Sequence, residues 1–206
     1  MKSGQERNGK PNRVIAIGAS AGGVEALQAI VQELPPDLDA AILVVLHLGA
    51  DSPSLLDRIL QRRSRLPVVS ATDKVRLERA HIYVAPVDFH LVVEDDHLGL
   101  TQDPRENRQR PSIDVLFRSL AHACGPSAVG VVLTGFLGDG AAGLLAIKNA
   151  GGVAVVQDPA DATAPDMPRH ALEQVEVDHV VPLARIAQVI CQLARQDVGG
   201  ALGRAG

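Results

Sequence analysis

Aromatic side chains are nearly missing from this chain: tryptophan is absent, tyrosine occurs once, and aromatics make up 2 % of 206 residues. The core must therefore be built from Val, Leu, Ile and Ala, which suits strands buried on both faces, as in parallel sheets. The same shortage excludes the exposed ring platforms on which nucleic-acid bases stack. Cysteine is also scarce. Cys124 and Cys191 lie far apart, outside any Cys-x-x-Cys spacing, and read as two reduced, buried thiols. No apolar run is long enough to span a bilayer, the longest being Ala40 to Leu46. The first twelve residues are polar and lack the apolar stretch of a signal peptide. A net charge of −4 gives no general reason to bind nucleic acid or anionic membrane. The expectation is a soluble cytoplasmic protein, without nucleic acid and without membrane insertion.

With 46 % hydrophobic and 21 % charged residues, the chain is not dominated by disorder, and its length fits one domain. Val14 to Ile17 is a β-branched run ending at Gly18, and Val24, Leu27, Ile30, Val31 and Leu34 then recur at helical spacing until Pro35-Pro36. Ala41 to Leu46 is a second buried strand, followed by an amphipathic helix with Leu55, Leu56, Ile59 and Leu60, opened by Pro53-Ser54. This β-α-β-α order predicts an α/β fold with a mostly parallel sheet, right-handed crossovers and helices on both faces. Val68-Val69 and His81 to Ala85 read as strands, and His90–Glu94 with His97–Thr101 as an antiparallel hairpin. Gln102 to Arg110 reads as a long exposed loop, and Ser112 as the N-cap of a helix burying Ile113, Leu116, Phe117 and Leu120. Strand, helix, strand follow at 129–133, 140–150 and 153–157, and a helix at 183–193 closes the chain. The expected boundaries are a flexible leader at 1–12, one domain at 13–197, and a flexible tail at 198–206.

In open α/β sheets, ligands bind beyond the carboxyl ends of the strands. The residues following the apolar runs are therefore the informative ones. The first strand is followed by Gly18-Ala19-Ser20-Ala21-Gly22, the second by His47, and the strand at 129–133 by Thr134 to Gly140, which contains Asp139. A serine, a histidine and an aspartate at one sheet edge are the parts of nucleophilic acyl chemistry. The Gly-x-Ser-x-Gly turn has the pattern of a nucleophile elbow, with Ala21 and Gly22 placed to support an oxyanion through backbone N–H groups. Read alone, the loop serves equally well as an anion site at a helix start. It lacks the Gly-x-Gly-x-x-Gly spacing, no acidic residue ends the second strand, and no Lys-Ser or Lys-Thr follows. His47 alone could be structural, and Asp139 alone could simply cap the helix at 140–150. No histidine forms the His-x-x-x-His or Cys-His spacing of a metal site, so neither metal nor cofactor is expected.

Together these segments resemble the chemotaxis methylesterase family, the CheB-type catalytic domain, over nearly the whole chain. The resemblance rests on Val14 to Gly23, the strand ending in His47, Ile82 to Pro86, Arg110 to Phe117, Val131 to Gly135, Gly138 to Gly143, and Met167-Pro168-Arg169. It implies a modified doubly wound α/β fold, a triad of Ser20, His47 and Asp139, and an oxyanion donor at the Phe136 backbone N–H. It implies hydrolysis of glutamate γ-methyl esters on chemoreceptor helices, and in some members deamidation of glutamine. The alternatives are a non-catalytic anion- or nucleotide-binding module and a degenerate esterase acting as a scaffold. This chain departs from the family pattern at Ala21 (often Thr), at Phe136-Leu137 (usually Met then Gly) and at Gln109 (often His). The family's phosphorylated receiver domain is not expected here, since a dozen polar residues precede the first strand. The implied partners are a methyl-accepting receptor and a separate receiver-type regulator. Arg58, Arg62, Arg63 and Arg65 form a basic run that serves either as a solvated helix face or as a docking site for an acidic receptor bundle.

Overall fold

The computed structural model describes residues 11–47 and 55–198. The helix opening expected at Pro53-Ser54 lies outside the described residues, as do the expected leader and tail apart from Pro11, Asn12 and Val198. Asn12 is anchored: its Nδ2 donates to the carbonyls of Ala194 and Gln196, both at 3.0 Å.

Seven strands form one parallel sheet: β1 (Arg13–Ala19), β2 (Ala40–Leu46), β3 (Val68–Ser70), β4 (His81–Val84), β7 (Ala128–Val132), β8 (Val153–Gln157) and β9 (His179–Val181), in spatial order β3-β4-β2-β1-β7-β8-β9. β5 (His90–Glu94) and β6 (His97–Thr101) form a separate antiparallel pair. The chain moves from β1 to one side and later returns to its other side at β7. The order thus reverses between β1 and β7, where a crevice opens at the carboxyl edge.

The helices are α1 (Gly23–Val31), α2 (Leu56–Gln61), α3 (Ile113–Cys124), α4 (Ala141–Asn149), α5 (Asp166–Gln174) and α6 (Leu183–Arg195). They divide between two faces because strand residues alternate. Ile15, Ile17 and Ala19 of β1 pack with Ile42, Val44 and Leu46 of β2 under α1, α2 and α6. Val14, Ala16, Leu43 and Val45 point the other way, into a cluster with Phe117, Leu120, Leu144 and Met167 of α3, α4 and α5. The hairpin adds Leu91, Val93 and Leu98 to that second cluster.

Two elements, α5 and β9, are absent from the sequence expectation. α5 is polar, buries only Met167, Pro168 and Ala171, and carries a proline in its first turn, so no apolar stripe announces it. β9 is three residues long at the sheet edge. The two cysteines sit in α3 and α6 as expected but are half-buried, not fully buried.

Candidate active site

Strand parity decides which way the candidate residues face. β1 and β2 pair in register, with Ala19 opposite Leu46. One residue further on, Ser20 and His47 leave adjacent strands side by side, where strand spacing is about 4.8 Å. The His47 N–H donates to the Ala19 carbonyl at 3.1 Å, continuing the ladder to this point. Both residues extend the series that faces α3, α4 and α5, and both line one open cleft of ≈ 480 Å³ with Asn107, Gln109, Phe136 and Asp139. Ser20 and His47 thus stand at one rim of the sheet.

The Ser20 loop is shaped by its neighbours. Gly22 has φ +75°, a left-handed conformation that glycine adopts without steric cost. The Ser20 N–H donates to Thr134 O at 2.9 Å, and the Thr134 hydroxyl donates to Ala21 O at 2.8 Å, tying the turn to the end of β7. Gly135 approaches Ser20 so closely that a Cβ there would lie 2.7 Å from the serine Cβ. Among the described residues, the Ser20 hydroxyl makes no hydrogen bond, and the N–H groups of Ala21, Gly22 and Phe136 have no acceptor.

Asp139 is far more constrained. Its Oδ2 accepts from His47 Nε2 and from the Ile113 N–H, both at 2.8 Å. Its Oδ1 accepts from Asn107 Nδ2 at 2.8 Å, the Ser112 hydroxyl at 2.9 Å and the Asp114 N–H at 3.1 Å. Burial works against this carboxylate, but the donors, His47 foremost, outweigh it and hold its pKa at about 2. An ionised carboxylate can only accept, so His47 Nε2 carries the proton and Nδ1 is left as the basic nitrogen.

The expected capping role of Asp139 is real but falls on a different helix. Asp139 precedes α4 yet caps α3, through the Ile113 and Asp114 N–H groups. Asp114, in the first turn of α3, returns the interaction: its Oδ1 accepts from the N–H groups of Gly140 (3.0 Å) and Gly143 (2.6 Å) at the start of α4. Two helices thus exchange carboxylate caps. Ser112 occupies the N-cap position of α3, but its hydroxyl donates to Asp139 and caps nothing. Burial pushes the Asp114 carboxyl up, and the neighbouring Asp139 charge adds to that rise.

Asn107 bridges both carboxylates, donating also to Asp114 Oδ2 at 2.8 Å. It and Arg108 both have positive φ, 51° and 64°. The loop at 102–110 is largely exposed, as expected, and its residues 107–109 line the cleft. Arg118 clamps Glu106 with two bonds of 2.8 and 2.6 Å, and Arg110 binds Asp88 and the carbonyls of Gln102 and Asp103. Sequence reading did not assign Asn107, Ser112 or Asp114 to the site. The available signal was the asparagine in a polar run, since Asn tolerates the left-handed region.

The basic run falls elsewhere. α2 descends from the carboxyl edge, so Arg62, Arg63 and Arg65 precede β3 at the opposite edge of the sheet. With Arg58 they are exposed and have no ion-pair partner among the described residues. None of the four lines the cleft. Among the described residues no three His, Cys, Asp or Glu side chains converge to hold a metal ion, and no helix is long and apolar enough to cross a membrane.

Fold and site define a class: a parallel α/β sheet with a serine, a histidine and a buried aspartate gathered at its switch-point edge. The CheB methylesterase family matches residues 15–190, and the chain belongs to that family. A relative from Leptospira interrogans (strain Fiocruz L1-130) is 40 % identical over 185 residues, covering 89 % of this chain and 96 % of its own. Proteins named protein-glutamate methylesterase/protein-glutamine glutaminase from Xanthomonas euvesicatoria and Yersinia pestis are 39 % and 40 % identical over 90 % and 92 % of this chain. The chain spans about half the length of these two, 52 % and 55 %. The crystal structure of the Thermotoga maritima CheB methylesterase catalytic domain superimposes with a TM-score of 0.82 at 29 % identity, covering 88 % of this chain and 98 % of that one.

Proposed function

We propose that this chain is a serine hydrolase that removes the methyl group from glutamate γ-methyl esters on chemoreceptor helices. Membership of the CheB methylesterase family supports the reaction class. The observation that carries the assignment of residues is the in-register exit of Ser20 and His47 from neighbouring strands, with His47 bonded to the ionised, buried Asp139.

In this reading the Ser20 hydroxyl attacks the ester carbonyl and passes its proton to His47 Nδ1. Asp139 holds the ring in the required tautomer and stabilises the imidazolium. His47 then protonates the leaving methoxide, releasing methanol and an acyl-enzyme. A water deprotonated by the same nitrogen attacks the acyl carbon, and the serine leaves with the proton, giving a free glutamate carboxylate. The unbonded N–H groups of Ala21, Gly22 and Phe136 are the oxyanion donors, each worth about 3 kcal/mol where correctly aimed. A glutamine side chain can follow the same route with ammonia as the leaving group, in keeping with the second activity in the names of the Xanthomonas and Yersinia relatives. The substrate is a methylated cytoplasmic receptor segment, and a receiver-type protein is the proposed regulator. The enzyme acts in the cytoplasm, with no cofactor or metal in the reaction.

The test is methanol release from a methylated receptor fragment by wild type and by Ser20→Ala. Release by wild type alone supports the esterase. Nucleotide or phosphate binding without release favours an anion-binding module. Receptor binding with neither favours a scaffold.

A further inference from the structure

Phe136 and Leu137, at the cleft mouth, are 61 % and 62 % exposed, more than any other large apolar side chains among the described residues. Isolated exposed apolar residues are ordinary, but an adjacent pair on the rim of a reaction cleft marks a contact surface. The backbone adds a second, independent sign. Leu137 has φ 66°, a left-handed conformation that bulky L-residues rarely adopt. The surrounding structure imposes it. His170 Nδ1 donates to the Leu137 carbonyl and to the Asp166 carbonyl, both at 2.9 Å. Gly135 is laced to the α5 side by its N–H to Ala164 O (2.9 Å) and its carbonyl to the Met167 N–H (3.0 Å). The lip is thus fixed in a strained shape that turns two apolar side chains outward.

The 107–109 segment of the same cleft differs in chemistry. Arg108 is exposed, also left-handed (φ 64°), and has no ion-pair partner among the described residues. Its neighbour Asn107 is held by Asp139 and Asp114. A substrate segment entering this cleft therefore meets both an apolar lip and a cation with no ion-pair partner among the described residues. On a helix, side chains three or four residues from the reacting one share its face.

We propose that Phe136 and Leu137 form a recognition lip that seats an aliphatic side chain one helical turn from the reacting ester, with Arg108 facing an acidic neighbour. The occupant is the amphipathic helix that carries the ester. The proposal rests on the esterase reading and adds to it the sequence context that the enzyme prefers.

The experiment uses two stapled helical peptides that carry a glutamate γ-methyl ester and differ only in Leu or Ser four residues away. Wild type should favour the Leu peptide in kcat/KM by about tenfold, the scale expected for burying one aliphatic side chain. Leu137→Asn keeps a residue tolerant of the left-handed backbone but removes the apolar contact, and should reduce the preference to less than about twofold. Leu137→Met should retain it. A melting temperature for Leu137→Asn at or above wild type shows that the fold is intact and the strain relieved. Equal rates on both peptides in wild type, or an undiminished preference in Leu137→Asn, overturn the proposal. Hydrolysis of neither peptide nor of a small glutamyl methyl ester overturns the esterase reading itself, and the lip with it.

Discussion

The two ends of the Ser20–His47–Asp139 series are built in opposite ways. Asp139 is 3 % exposed and accepts five hydrogen bonds, from His47, Asn107, Ser112, Ile113 and Asp114. The Ser20 hydroxyl accepts none among the described residues, although its backbone is fixed by Thr134 and Gly135. The acid end belongs to the architecture: the same carboxylate that orients His47 also starts α3. The serine end is held only through its main chain, and its hydroxyl, unbonded among the described residues, lines the cleft. Substitutions should therefore separate chemistry from stability at one end and couple them at the other.

Ser20→Ala gives the sharpest separation. Turnover should fall by about 10⁶-fold, as for loss of a nucleophile that acts with a base, while the melting temperature stays within about 2 °C. Asp139→Asn should lower kcat by about 10⁴-fold. Asp139→Ala should in addition cost about 3 kcal/mol, because several buried donors lose their acceptor, and should lower the melting temperature by roughly 10 °C. Equal thermal stability of the serine and aspartate variants would erase the contrast.

Asn107→Ala tests whether the loop wall acts through the carboxylates. It should lower kcat by about tenfold with little change in KM, and Asn107→Asp should not rescue it, since a third carboxylate would face the other two. Asp114→Ala should have its main effect on stability, about 2 kcal/mol by chemical denaturation, because α4 loses the acceptor for two N–H groups.

Acid titration sharpens the comparison further. The pKa of Asp139 is depressed, so its contribution is fully present above the ordinary carboxylate value and is lost as pH falls from about 4 towards 2. Asp114 is shifted the other way, so ionising it weakens the fold as pH rises through the ordinary range. Wild type should lose stability below about pH 4 more steeply than Asp139→Asn. Parallel melting-temperature curves for the two proteins would count against the five-donor account.

Much of the sheet is legible in the sequence because its strands are buried on both faces and read as short continuous apolar runs, as at Ala40–Leu46 and Val153–Gln157. The first two site residues are legible for the same reason: a strand's carboxyl end can be located, and Ser20 and His47 stand immediately after it. The pairing of Asp139 with His47 is expected from the sequence, but its cap on α3 is not legible. Capping is ordinarily a local effect, and here two carboxylates act on each other's helices from 25 residues apart in the chain. Asn107 is hidden for a related reason, because its role depends on a left-handed turn within a polar stretch that has no periodicity. α5 is missed since it earns its place by fixing the Gly135–Gly138 loop through Met167 and His170, with little apolar burial of its own.

The most direct measurement is a double-variant comparison on one glutamyl methyl ester: kcat for Ser20→Ala, Asp139→Asn and the two combined. If the three side chains act as a unit, the combined variant is no slower than Ser20→Ala, within about threefold. Loss factors that multiply would show that serine and aspartate contribute independently, and would contradict the account.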